Sequence, residues 1–106
     1  MCDVNTNIQT LKNLVESFVD DRDWGRFHTA ANLAHSISIE AAELLELYQW
    51  GQQPESDRVQ DEIADVLIYC ISYANATGID LTSCVKSKLR KNRERFPVEL
   101  VKGILP

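Results

Sequence analysis

Apolar residues recur at helical spacing along most of the chain. Ile8, Leu11, Leu14, Val15, Phe18 and Val19 share one side of a helix expected from about Thr6 to Asp21. The stretch DDRDWGRFH then breaks the pattern. Thr29 is placed to cap a second helix running to about Gln49, with Leu33, Ile37, Ala41, Leu44 and Tyr48 on one face and GQQPES ending it. Ser56 or Asp57 caps a third helix that reaches about Thr77, where Gly78 is a natural terminator. Asp80 caps a fourth, which ends near Arg95 ahead of Pro97, and Val98 to Pro106 carries no clear period. There is no repeat, low-complexity tract or linker, and four Gly and three Pro supply few hairpin signals. The expectation is an all-α chain forming one domain over residues 1–106.

Polar residues interrupt the apolar faces in a regular way. With Leu33 as origin and about 100° per residue, Ile37, Leu44 and Tyr48 lie at about 40°, 20° and 60°, and Glu40 lies at about 340°, inside the apolar face. Glu43 borders that face, whereas Glu46 points away. On the third helix Val59, Ile63, Val66 and Cys70 cluster together, and Glu62, Asp65 and Tyr69 run along one border. A carboxylate directed into a core is costly unless it is paired or bound to metal.

The two acidic pairs are related by the hairpin between their helices. If helices two and three are antiparallel neighbours across GQQPES, residues at equal height have numbers of constant sum. Glu40 with Asp65 and Glu43 with Glu62 satisfy the same sum, which places four carboxylates on two adjacent rungs. A hard divalent cation removes their repulsion, and oxygen ligands without His or Cys specify Mg²⁺, or Mn²⁺, over zinc. On the fourth helix Lys88, Asn92 and Arg95 continue the stripe of Leu81 and Val85, a direction suited to phosphate oxygens.

Charge and composition sharpen this picture. The net charge of −5 combines an acidic body, 14 Asp and Glu against four Lys and Arg through residue 85, with a basic remainder of seven against two. Such a body repels a polyanion, so nucleic acid is not an expected partner. No apolar run approaches the roughly 18 residues of a membrane span, and no secretory leader is evident, so no membrane association is expected. Cys2, Cys70 and Cys84 show no CxxC spacing, which fits a reducing, cytoplasmic setting. A di-iron bundle needs Glu-x-x-His and an HD phosphohydrolase a His-Asp doublet, and neither occurs.

The segments DWGRFHTAANL, SIEAAELLELYQW, QDEIADVLIYC, GIDL and KSKLRKNRERFP resemble the MazG-like all-α nucleoside triphosphate pyrophosphohydrolases, and among them the dCTP pyrophosphatases. The resemblance runs from about Asp23 to Pro97. It implies a four-helix bundle completed by homo-oligomerisation, as a dimer or tetramer, which cleaves a nucleoside triphosphate between the α and β phosphates. It implies Mg²⁺ on Glu40, Glu43, Glu62 and Asp65, the triphosphate on Tyr69, Lys88, Asn92 and Arg95, and the base among Trp24, His28 and Trp50. Glu43 and Glu62 are the expected catalytic pair, with Glu43 at the rim as the base. The sequence departs from the family at Phe96, where Tyr is common, and at Val15, where a related dCTP-hydrolysing enzyme has a base-contacting His. The alternative is a non-enzymatic helical interaction module that keeps the family shape.

Overall fold

A computed structural model describes residues 1–104. Helix α1 spans Ile8–Asp21, α2 Ala30–Glu46, α3 Ser56–Thr77, α4 Leu81–Arg95, and a single turn, α5, Val98–Val101. Short 3-10 turns at Asp3–Asn5 and Trp24–Phe27 complete the regular structure, and no strand occurs among the described residues.

The helix ends follow from local chemistry. Asn7 caps α1 by accepting from the Thr10 N–H, and Thr29 caps α2 by accepting from Asn32, as its position in the sequence suggests. Asp80 does the same for α4 through Ser83. Gly78 ends α3 in the left-handed region, φ 74°, where the N–H groups of Gly78 and Ile79 both donate to the Ala74 carbonyl. The start of α3 differs from expectation. Glu55, not Ser56 or Asp57, is the cap residue and makes no side-chain cap, while Ser56 is already helical and accepts from Gln60. The second helix also closes one turn earlier than its sequence pattern, at Glu46, and continues as turns through Trp50.

The α2–α3 hairpin is the main packing unit, and α1 lies against α3 and the Trp24–Phe27 turn. Asn75 donates to the Lys12 carbonyl and the Lys12 ammonium donates to the Ile79 carbonyl, which ties α1 to the far end of α3. The interior is small: among the described residues Leu33, Ile71, Ala74 and Ser72 are the buried ones. Helix α4 packs closely on none of α1 to α3. The radius of gyration is accordingly 16.6 Å, where a compact chain of this length has about 13 Å.

Two faces are rotated from their predicted setting. On α2 the inward side carries Leu33, Ser36, Ile37, Glu40, Glu43 and Leu44, followed by Leu47 just past its end, whereas Ala41 and, in the turns beyond, Tyr48 are exposed. On α3 Glu62 takes an inward place and Ile63 is 52% exposed. An amphipathic stripe wider than one contact leaves its edge residues uncovered in a single chain, and the carboxylates sit at the seam instead.

Candidate active site

The α2–α3 seam assembles an acidic cluster. Glu40 from α2 and Glu62 and Asp65 from α3 each offer a carboxylate oxygen, all within 4.8 Å of one another. The pairing follows from an i, i+3 acidic repeat on each helix and from antiparallel packing, which stacks the two repeats at one height. Glu43 stands beside this triad, and its charge acts on both Glu40 and Glu62. Burial, then Glu43, then the charges of Asp65 and Glu62 push the Glu40 carboxyl up from its usual range to about 7. Burial and the charges of Glu43 and Asp65 also raise Glu62, while Arg58 opposes that rise.

Glu40 Oε2 and Glu62 Oε2 are buried without any hydrogen-bond partner. An orphaned buried carboxylate oxygen is costly, and two in one cluster call for a cation rather than a donor. The donor set is oxygen alone, with neither His nor Cys in the triad, so the residues fit a hard divalent ion.

Hollows flank the cluster on both sides along the seam. Toward the start of α2, Trp24, Phe27, His28, Asn32, Ser36 and Tyr69 line one of about 330 Å³. Its walls are held from behind. Asp23 turns the chain in the left-handed region, φ 52°, and the Trp24 ring meets Phe18 edge-on with centroids 5.8 Å apart, while Arg22 lies 3.6 Å over the Phe18 ring. Asn32 donates from Nδ2 to the Phe27 carbonyl at 2.9 Å, which ties the turn to α2. Toward the end of α2, Glu43, Glu46, Gln49, Trp50, Arg58 and Glu62 line a second hollow of about 380 Å³.

The structure therefore brings together Glu40, Glu43, Glu62 and Asp65, and sets Trp24, His28 and Tyr69 around one hollow. It does not place Trp50 with Trp24 and His28: Trp50 lies across the acids, 79% exposed, because the chain leaves α2 before reaching it. Nor do Lys88, Asn92 and Arg95 line either hollow. Helix α4 is not folded back on the seam, and Arg95 rests 5.0 Å from its own neighbour's ring, Phe96. Phe27, Asn32, Ser36 and Arg58 were not singled out by sequence. Arg58 alone carried a usable signal, since it precedes Glu62 by one helical turn.

Similarity to known proteins agrees with this architecture. The model of the MazG-like family matches residues 35–104. The dCTP pyrophosphatase 1 of Mus musculus is 38% identical over 106 aligned residues, covering 91% of this chain and 62% of its own length. A dATP/dGTP diphosphohydrolase of Cyanophage S-2L is 43% identical over 56 residues, 51% of each chain. The crystal structure of a pyrophosphatase from Archaeoglobus fulgidus superimposes with a TM-score of 0.78 at 37% identity, over 92% of this chain and 98% of that one. The chain thus spans less than two thirds of the mammalian relative and nearly the whole of the archaeal one. With the family model covering more than half of its length, acids and aromatic hollow included in part, the chain belongs to the MazG-like family.

Proposed function

We propose that the protein is a Mg²⁺-dependent, or Mn²⁺-dependent, nucleoside triphosphate pyrophosphohydrolase acting on dCTP or a related deoxynucleotide. The observation that carries this reading is the pair of orphaned buried oxygens, Glu40 Oε2 and Glu62 Oε2, in an oxygen-only triad. The names of the relatives, a dCTP pyrophosphatase, a dATP/dGTP diphosphohydrolase and a pyrophosphatase, support the reaction class.

Glu40, Glu62 and Asp65 hold the ion, and Glu43, beside the triad, is the residue with a carboxylate free to orient the attacking water and take its proton. The bound ion supplies Lewis-acid stabilisation of phosphate oxygens and acidifies water. Attack on the α-phosphorus breaks its bond to the α,β-bridging oxygen and yields a nucleoside monophosphate and pyrophosphate. Trp24 and His28 enclose the base in the aromatic hollow, and Tyr69, which lines the same hollow, holds the triphosphate.

The reading includes a homo-oligomer. Ile39 and Leu45 on α2, Leu67 on α3, Val85 and Leu89 on α4 and Leu100 on α5 are all exposed in one chain, and apolar side chains on every helix from α2 to α5 suit burial against a second copy. A second copy covers these faces, and its α4 delivers Lys88, Asn92 and Arg95 to the phosphates. The free thiols of Cys2, Cys70 and Cys84 suit a reducing cytoplasm. No helix among the described residues is long and apolar enough to cross a membrane.

The test is a panel of the ribo- and deoxynucleoside triphosphates with Mg²⁺, read by chromatography of products. Monophosphate formation from deoxynucleotides, dCTP foremost, is the expected result. No turnover of any member with Mg²⁺ or Mn²⁺ overturns the reading and leaves an interaction module.

A further inference from the structure

We propose that a polar hollow behind His28 reads the edge of the nucleobase, and that Glu16, Asp20 and Ser72 there select bases carrying an exocyclic amino group, cytosine over uracil. The inference rests on the reading of the site as a nucleotide pyrophosphohydrolase.

Between α1, α3 and the Trp24–Phe27 turn lies a hollow of about 240 Å³. Glu16 and Asp20, one helical turn apart on α1, form one wall, and Ser72 and Asn75 on α3 another. His28 lines this hollow and the aromatic one alike, and Tyr69 of the aromatic hollow stands one turn before Ser72 on α3, so the two adjoin. None of the apolar residues offered to a second copy lines it, so its walls come from one chain.

Ser72 is the unsatisfied group. It is 4% exposed, and unlike Thr77 farther along α3, which donates to the Tyr73 carbonyl, its hydroxyl forms no hydrogen bond among the described residues. A buried hydroxyl without a partner is costly, and one lining a hollow calls for a ligand group there. The remaining polar atoms of these two walls are acceptors. Glu16 and Asp20 present carboxylates, and Asn75 commits Nδ2 to the Lys12 carbonyl, which leaves its Oδ1. No Lys or Arg lines the hollow, so it repels phosphate and receives a donor. An exocyclic amino group has two N–H donors, one for a carboxylate and one for the hydroxyl. A carbonyl oxygen at the same ring position, as in uracil or thymine, meets carboxylates instead.

The order of groups along α3 agrees with this placement. On the reading above Glu62 and Asp65 hold the ion and Tyr69 the triphosphate, and Ser72 lies about 10 Å beyond Asp65, on the side where the base follows the phosphates.

The test is the ratio of kcat/KM for dCTP to that for dUTP, measured with Mg²⁺ for the parent, Ser72→Ala and the double variant Glu16→Gln, Asp20→Asn. The parent is expected to favour dCTP by about tenfold or more, the effect of one charge-assisted hydrogen bond. In the double variant, whose amides donate as well as accept, the ratio falls to within about twofold, and in Ser72→Ala it falls part of the way. The rise in Tm with Mg²⁺ stays as in the parent, because the acids that hold the ion are untouched. General repulsion between Glu16, Asp20 and the triphosphate instead moves both nucleotides together and keeps the ratio. A parent that turns over dCTP and dUTP alike, a ratio that survives in either variant, or a lost Mg²⁺ increment overturns the role of this hollow and leaves the reaction class standing. A parent that hydrolyses no nucleotide overturns the reaction class, and this inference with it.

Discussion

Glu40 Oε2 on α2 and Glu62 Oε2 on α3 face one cluster and are both buried without a hydrogen-bond donor. The protein's own side chains leave both oxygens unsatisfied, although the two helices that carry them form the tightest packing in the fold. A bound cation reconciles these facts, and the consequences are measurable.

Binding of a cation to the folded form alone raises stability by RT ln(1 + [L]/Kd), about 2.7 kcal/mol at a hundredfold excess over Kd. For about 100 residues this is a rise in Tm on the order of 10 °C. Millimolar Mg²⁺ or Mn²⁺ is expected to raise Tm well beyond NaCl of matched ionic strength, and Glu40→Ala to remove the metal increment. Equal shifts by Mg²⁺ and NaCl contradict the metal centre.

The raised pKa of Glu40 gives a signed pH dependence. The unfolded carboxyl titrates near 4.5 and the folded one near 7, so between these values the folded form holds the extra proton. Without metal, stability falls as pH rises from about 4.5 through 7, and Glu40→Gln flattens that descent. With saturating Mg²⁺ the descent weakens or reverses, because the ion binds the deprotonated carboxylates. Thermal melts across pH in chelator and in Mg²⁺ measure both slopes.

Glu62→Gln keeps the side-chain volume and removes one ligand charge. Turnover is expected to fall by about 10² or more with the helical far-ultraviolet signal intact. Near-parental hydrolysis by this variant sinks the assignment of the acids.

The separation of α4 from the seam predicts complementation. If the acids come from one chain and Lys88, Asn92 and Arg95 from another, Glu62→Gln and Lys88→Ala chains unfolded together and refolded as mixed oligomers regain activity. A random dimer mixture restores about a quarter of parental sites, one site in each heterodimer. Activity no higher than the sum of the separate variants shows that each site is built within one chain.

Much of this was legible in the sequence, for physical reasons particular to each element. Thr29, Gly78 and Asp80 mark helix ends because a cap or a left-handed turn depends on one or two local residues. The inward setting of Glu40 and the closeness of Glu40 to Asp65 follow from helical period and hairpin symmetry alone. Glu62 and Ile63 exchanged places because an angular estimate on a 22-residue helix does not fix which edge of a broad stripe meets its neighbour. The setting of Trp50 and α4 relative to the seam was not legible for a different reason: periodicity tells which side of a helix is apolar, not which chain covers it.

Hydrolysis between the α and β phosphates at the acidic cluster is visible in the phosphorus-31 resonances of dCTP with the protein and Mg²⁺. The three triphosphate signals are expected to give way to dCMP and pyrophosphate in equal amounts, with no orthophosphate at early times and no conversion by Glu62→Gln. Early dCDP with orthophosphate, or parental dCTP conversion by Glu62→Gln, contradicts it.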